Sequence, residues 1–97
     1  MKTDDISRLV HATVRITVEE EGKTVKYQGE LYRKTLSPKL PVWYKMDNPI
    51  IIYPDGKKEK TGGHKIFRES DLERYVKEGR VEIIEESAGK YLLMRRA

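Results

Sequence analysis

The stretch VHATVRITVEEEGKTVKYQGELYR, residues 10–33, alternates apolar and polar side chains along most of its length. An apolar residue at every second position indicates a β-strand with one buried face. The alternation is interrupted at Glu21-Gly22, which fits a two-residue hairpin loop. This loop places Val18 opposite Val25 and brings the apolar side chains to one face, which a shift of one residue would undo. The sequence therefore predicts an antiparallel hairpin over residues 10–33.

Prolines divide the next part of the chain into short, irregular strands. The segment LSPKLPVWYKMDNP predicts a loop followed by a strand around residues 42–46. The run IIIY, residues 50–53, has no polar side and predicts a strand that is covered on both faces. The run is followed by PDGK, a sequence typical of a tight turn.

The segment ESDLERYVKEGR predicts a helix near residues 70–79, because its apolar residues recur with helical spacing. Ser70 is a candidate N-cap and would form a capping box with Glu73. Gly79 is a candidate C-terminal stop, since glycine readily adopts the left-handed conformation in which many helices end.

A last hairpin is predicted over residues 81–96, with its turn at Ala88-Gly89. Strands therefore dominate, and the predicted fold class is α+β, a mainly antiparallel sheet or small barrel with one helix. One short helix covers only one face of such a sheet. Either the sheet curls into a small barrel, or a second copy of the chain buries the other face in a homodimer. No repeat or linker divides the chain, so residues 1–97 are expected to form a single small domain.

The composition excludes several classes of protein. With no cysteine, the chain has no disulfide framework, thiolate metal site or cysteine nucleophile. It has no apolar run long enough to span a bilayer, and MKTDDISRLV lacks the pattern of a signal peptide, so a cytoplasmic location is expected. Charged residues make up 37% of the chain, a composition typical of thermostable proteins.

The positive charge is concentrated in the middle of the chain. Residues 31–68 contain nine basic and three acidic side chains, whereas the flanking segments each have a slight acidic excess. Clustered Lys and Arg side chains attract polyanions through phosphate contacts and counterion release. This asymmetry predicts a nucleic-acid interface with the candidate residues Arg33, Lys34, Lys39, Tyr44, Lys45, Lys57, Lys58, Lys60, Lys65 and Arg68. A solvated lysine surface is the alternative interpretation.

Aromatic residues among these cations are typical of surfaces on which bases stack. Trp43 and Tyr44 are adjacent in a predicted strand and therefore point to opposite faces. Because tryptophan is heavily buried on average, Trp43 is expected in the core and Tyr44 at the surface. Tyr32, on the polar face of the first hairpin near His11, is a second surface candidate. Gly62-Gly63 lacks the spacing of a phosphate-binding P-loop and is interpreted as a flexible turn.

No catalytic or metal-binding motif stands out, so neither enzyme activity nor a cofactor is expected. His64 follows two glycines, a mobile setting for a catalytic base, and His11 is interpreted as a solvated strand residue. The three glutamates at residues 19–21 lie at a predicted hairpin tip, where a solvated charge cluster is the simpler interpretation.

Two functions are consistent with these features. The first is a small basic module that binds the phosphate backbone of nucleic acid with little sequence preference. The second is a protein-interaction module without catalytic activity, an accessory or inhibitor protein that docks an acidic protein partner or acts as a homodimer.

Overall fold

The computed structural model describes residues 6–35 and 38–86, which form an antiparallel sheet with a single α-helix. The elements in chain order are a 3₁₀ helix Ile6–Leu9, β1 Thr13–Glu20, β2 Lys23–Lys34, β3 Trp43–Asp47, β4 Ile50–Ile52, β5 Lys58–Lys60, β6 His64–Arg68, α1 Glu69–Lys77 and β7 Val81–Glu85. All strand pairs among these residues are antiparallel, so the predicted α+β class is confirmed. In the part of the chain described, neither helix is long and apolar enough to cross a membrane.

The β1–β2 hairpin has the register that its alternating sequence predicts. Val18 pairs with Val25 across a turn in which Glu21 and Gly22 have φ angles of 51° and 77°. Two consecutive positive φ angles are what a two-residue hairpin loop of type I′ requires. The hairpin is therefore confirmed, and its polar and apolar side chains separate onto two faces. We call the face that carries the apolar side chains the inner face and the opposite one the outer face.

The inner face carries the hydrophobic core. Its strands and the helices that cover it bury Leu9, Ala12, Val14, Ile16, Val18, Val25, Tyr27, Leu31, Tyr44, Met46, Phe67, Leu72, Val76, Val81 and Ile83. Helix α1 packs against β6 and the 3₁₀ helix. Phe67 of β6 and Tyr75 of α1 meet edge to face, with ring centroids 6.5 Å apart. The helix therefore covers the inner face, and among residues 6–35 and 38–86 no helix covers the outer face.

Strands β3 and β4 are two parts of one long, interrupted strand along the same edge of β2. Leu31 pairs with Met46 in β3 and Gln28 pairs with Ile50 in β4, so the register shifts by one residue. The extra residue makes a bulge at Asn48, which has a φ angle of 47°. Strands β5 and β6 follow the other edge of β3 and β4 in the same way. The result is a two-stranded ribbon, β3–β4 against β5–β6, beside β2.

The end of the helix is as predicted, but its beginning is not. Gly79 has a φ angle of 71° and donates its backbone N–H to Val76 O (3.1 Å), which terminates α1. The helix begins at Glu69, however, with Arg68 as N-cap and no side-chain cap hydrogen bond. The capping box predicted at Ser70 is therefore wrong. Strand β6 runs directly into the helix, which leaves no loop in which Ser70 could act as cap.

The predicted burial of Trp43 and Tyr44 is the reverse of what the structure has. Tyr44 is only 3% exposed and its hydroxyl donates to Glu69 Oε2 (3.3 Å), whereas Trp43 is half-buried on the outer face. The reason is Met46, which is fully buried on the inner face. Residues two apart in a strand share a face, so Met46 fixes Tyr44 inside and Trp43 outside.

Two other strand predictions are met in part. In a single chain each residue of Ile50–Ile52 is half-buried, so this strand is not covered on both faces. Strand β7 of the predicted last hairpin is present and pairs with β1. The second strand of that hairpin falls within residues 87–97, outside the described residues.

Gly29 of β2 is a point of close approach in the core. A Cβ atom at this position would lie 2.7 Å from Met46 Cγ and 3.1 Å from its Sδ. The Gly29→Ala substitution should therefore destabilise the fold by about 1–3 kcal/mol through overpacking. The Met46→Ala substitution should cost about 2–5 kcal/mol on its own, but it opens the space that an alanine at position 29 would fill. Chemical denaturation of both single variants and the double variant should give a loss smaller than the sum, by at least about 0.5 kcal/mol. Strict additivity would contradict the proposed contact.

Candidate nucleic-acid interface

The outer face of the ribbon carries Trp43 between two cations. Lys34 of β2 pairs with Trp43, and Trp43 pairs with Arg68 of β6, so the three side chains form one row across the sheet. The guanidinium carbon of Arg68 lies 5.5 Å from the centroid of the indole ring. A cation at this distance is attracted to the ring face, which holds the indole and the guanidinium together.

A cleft of about 300 Å³ opens beside the indole, and we call it the Trp43 cleft. Its lining residues are Lys34, Trp43, Lys45, His64 and Ile66. Strand pairing explains the grouping, because Lys45 and Ile66 pair across β3 and β6 on the same outer face. The cleft thus combines an aromatic wall, an aliphatic wall and cationic side chains.

The same arrangement continues along the ribbon into β4 and β5. Ile52 pairs with Lys26 on one side and with Lys58 on the other, and Ile50 similarly pairs with Lys60. Strand β3–β4 therefore presents Trp43 near one end of its outer face and Ile50 and Ile52 near the other, and we call these three residues the apolar spine. The spine is interrupted by Lys45 and Asp47, which lie between its two parts on the same face and form an ion pair. Its flanking cations on the outer face are Lys26 and Lys34 of β2 on one side and Lys58, Lys60 and Arg68 of β5–β6 on the other.

The turn between β4 and β5 holds the predicted lysine cluster in place. Tyr53 donates its backbone N–H to Lys57 O (2.9 Å), and Lys57 donates its own to Asp55 Oδ1 (3.0 Å). Gly56 has a φ angle of 90°, a conformation that other residues rarely adopt. PDGK is therefore a tight turn, as predicted, and it starts β5 so that Lys58 and Lys60 reach the outer face.

The cations of the outer face differ in their electrostatic partners. Within residues 6–35 and 38–86, Lys26, Lys34, Lys58 and Lys60 form no ion pair. Lys45 Nζ, in contrast, lies 3.3 Å from Asp47 Oδ1. Like charges without counterions raise the local positive potential, so this face attracts anions.

Five of the predicted site residues lie elsewhere. Lys57 is exposed in the turn before β5, with its Nζ 4.0 Å from Asp55 Oδ2. Lys65 points to the inner-face side, where its Nζ donates to Glu20 Oε1 (2.6 Å). Tyr44 is buried, and Arg33 pairs with it across β2 and β3 rather than with Trp43. Lys39 is exposed in a turn outside the ribbon. Tyr44 is therefore wrong as a stacking surface, because its ring is in the core.

Lys65, Glu20 and Tyr27 form a polar cluster at the edge of the core. Burial disfavours the ionised carboxylate of Glu20, but hydrogen bonds from Lys65 and Tyr27 outweigh it and lower the pKa of Glu20. Burial, together with the hydrogen bond that its hydroxyl donates to Glu20 (2.6 Å), raises the pKa of Tyr27 far above its usual value. Lys65 Nζ also lies 5.0 Å from the centroid of the Tyr27 ring. These contacts give Lys65 a role in the fold.

The two histidines have different surroundings. His11 lies in the turn before β1 and not on the strand, with a φ angle of 64°. Its ring meets Tyr32 edge to face at 5.6 Å, and its Nδ1 lies 3.5 Å from Glu30 Oε2. His64 is exposed and lines the Trp43 cleft. Among the described residues, no group of three or more His, Asp or Glu side chains is placed to hold a metal ion.

The sequence prediction missed Trp43, Lys26 and the apolar spine, although a local signal was present. In the tetrapeptide WYKM, Lys45 is the residue that must face solvent, and Trp43 shares its face. The alternation within this tetrapeptide therefore places the tryptophan outside, against its average tendency. Comparison of the chain with protein-family models, curated proteins and solved structures finds no match.

The Glu20–Lys65 pair predicts a specific pH dependence of stability. Because the folded protein lowers the pKa of Glu20 below its ordinary value of 4.5, the pair stabilises the fold above that pH and is lost as the pH falls through the lower folded pKa. Replacing Lys65 by Gln should therefore flatten the fall in unfolding free energy below pH 4.5, measured by urea denaturation. The control is Lys57→Gln, whose ammonium lies 4.0 Å from exposed Asp55 and should leave the slope unchanged. Parallel pH profiles for the parent and Lys65→Gln would contradict this role.

Proposed function

We propose that this protein is a small nucleic-acid-binding module that contacts the phosphate backbone through its outer face. The observation that supports the proposal is the pair of cation lines beside the apolar spine, four of whose lysines form no ion pair within the described chain. A phosphate backbone supplies many negative charges, which such cations would neutralise. The concentration of positive charge in residues 31–68 also supports contact with a phosphate backbone.

Little sequence preference is expected, because the outer face offers few groups that read bases. Lysine ammonium groups contact phosphates as point charges and carry no sequence information. Gln28 is the outer-face amide of the hairpin, and its Oε1 already accepts a hydrogen bond from Arg15 Nε (2.9 Å). Arg15 is held in turn by Glu82 (3.1 Å). The side chains best suited to specific readout are thus engaged with each other.

Removing outer-face charge should weaken binding without weakening the fold. The double substitution Lys58→Gln with Lys60→Gln should lower the affinity for all polynucleotide sequences alike. It should also reduce the slope of log affinity against log salt, by about 0.7 for each phosphate of a single strand that the variant no longer neutralises. Fluorescence anisotropy over a salt series measures both quantities. Thermal melting should show little change, because these exposed side chains contribute little to packing.

The matched control removes two lysines from other surfaces. Lys23 lies at the hairpin tip and Lys77 on helix α1, both exposed. The double substitution Lys23→Gln with Lys77→Gln gives the same net charge and should leave the salt slope close to that of the parent. Equal losses of affinity in the two double variants would mean that net charge, and not the outer face, determines binding. If the parent shows no salt-sensitive binding, the proposed function is rejected.

A protein-interaction module, acting as a homodimer or with an acidic protein partner, is the second candidate. The supporting observation is the apolar character of the same face, where Ile66 is 48% exposed and Ile50 and Ile52 are half-buried. Apolar side chains grouped at a surface are typical of protein contacts. The cations that flank them suit an acidic partner.

The homodimer has a direct test. If the apolar surface of Ile50, Ile52 and Ile66 joins two copies, light scattering should give twice the chain mass of 11.4 kDa. Ile66→Lys should then return the monomer, since it places a charge in the buried interface. Ser70→Lys, which adds the same charge on helix α1, should leave the dimer intact. A monomer mass for the parent across the micromolar range would reject the homodimer.

A further inference from the structure

We infer that the Trp43 cleft accepts an unpaired base, so that the preferred ligand of this protein is single-stranded nucleic acid. This inference rests on the proposed function and specifies its substrate class. Backbone contacts alone would serve single strands and duplexes equally well. The geometry of Trp43, the apolar spine and the flanking cations favours single strands over duplexes.

The first step concerns the position of the indole. Trp43 is half-buried on the outer face, with Arg68 of the next strand 5.5 Å from its ring centroid. An indole held by its neighbours presents a fixed aromatic surface and loses little freedom when a ligand stacks on it. Stacking against such a surface tolerates any base, since every base has a π-face. The cleft therefore supplies affinity without sequence preference.

The second step concerns size and chemistry. The cleft has a volume of about 300 Å³, at the lower end of the range of roughly 300–1,000 Å³ for small-molecule sites. A single flat ring system suits this space. Ile66 provides an apolar wall, and Lys34 stands at the cleft as a phosphate contact without an ion-pair partner among the described residues. One nucleotide thus finds a surface for its base and a cation for its phosphate.

The third step concerns the path of the strand beyond the cleft. Next to Trp43 on the outer face lie Lys45 and Asp47, which pair with each other. Beyond them the apolar spine resumes at Ile50 and Ile52, which Lys26, Lys58 and Lys60 flank. Bases laid along the spine would cover apolar surface, while the backbone would run beside the lysines of a neighbouring strand. In a duplex the base faces stack on each other, so they are not available to an indole or to isoleucine side chains. The spine therefore favours an unpaired strand.

Trp43 is the single tryptophan of the chain, so its fluorescence reports this contact directly. Titration with a short oligothymidylate should quench the emission, because a stacked base lies against the indole. An abasic strand of equal length carries the same phosphates and no bases. It should bind more weakly and leave the emission nearly unchanged. A duplex of equal length should likewise bind without quenching. These measurements use the unmodified protein and need no variant to fold.

Substitution of Trp43 gives the matching affinity test. Trp43→Leu should weaken oligothymidylate binding by about 5- to 150-fold, the range expected for one stacked base. It should leave the affinity for the abasic strand almost unchanged. Trp43→Phe keeps an aromatic face and should restore part of the affinity. Isothermal titration measures the affinities, and thermal melting shows that both variants are folded.

The outcomes separate this inference from the proposed function. If oligothymidylate and the abasic strand bind equally and the emission does not change, backbone binding stands and the base cleft is rejected. An equal decrease in affinity for both ligands in Trp43→Leu would also reject it, since the indole would then support the fold and not a base. If only the duplex binds, this inference is rejected and the proposed function stands. If neither strand nor the duplex binds at any salt concentration, the proposed function fails and this inference with it.

Discussion

The burial of Met46 against Gly29 is the packing constraint on which the rest of the ribbon depends. Met46 is fully buried, and its Cγ lies where a Cβ at position 29 would meet it at 2.7 Å. A fully buried side chain fixes the facing of its strand, because side chains alternate between faces. Tyr44 must then enter the core, and Trp43 and Lys45 must face outward. The composition of the outer face is thus a consequence of packing on the inner one.

Local patterns predicted the parts of the fold that local physics controls. The alternation of residues 10–33 set the register of β1 and β2, and Gly79 marked the end of the helix. A strand with one buried face tolerates no slip, and a left-handed residue readily ends a helix, so both signals are strong. The cap predicted at Ser70 does not form, because strand β6 continues into the helix without a loop. The residues around Ser70 do not reveal this continuation.

The candidate site was predicted in part, for a similar reason. Charge clustering correctly indicated the ribbon as the basic region, and Lys34, Lys45, Lys58, Lys60 and Arg68 share its outer face. Lys65 was indistinguishable from them in the sequence, yet it pairs with Glu20, which is far away along the chain. Trp43 was misplaced because an average tendency to burial was preferred to the alternation of its own strand. The position of Lys65 depends on a contact that is distant in the sequence. The facing of Trp43 follows from the alternation of side chains in its own strand.

The lysines on the two faces of the sheet differ in how their charge is compensated. Lys65 has a carboxylate partner at 2.6 Å and two aromatic rings nearby, so its charge is compensated within the fold. Within the described residues, the outer-face lysines other than Lys45 have no such compensation, and the repulsion among these like charges slightly opposes folding. Carboxylates lie beside Lys65 and Lys45, whereas none lies within ion-pair distance of the other outer-face lysines among the described residues. Local features that oppose stability without structural compensation are typical of functional sites. The uncompensated charge therefore supports the proposal of a polyanionic ligand, since binding of such a ligand would remove the repulsion that the folded chain retains.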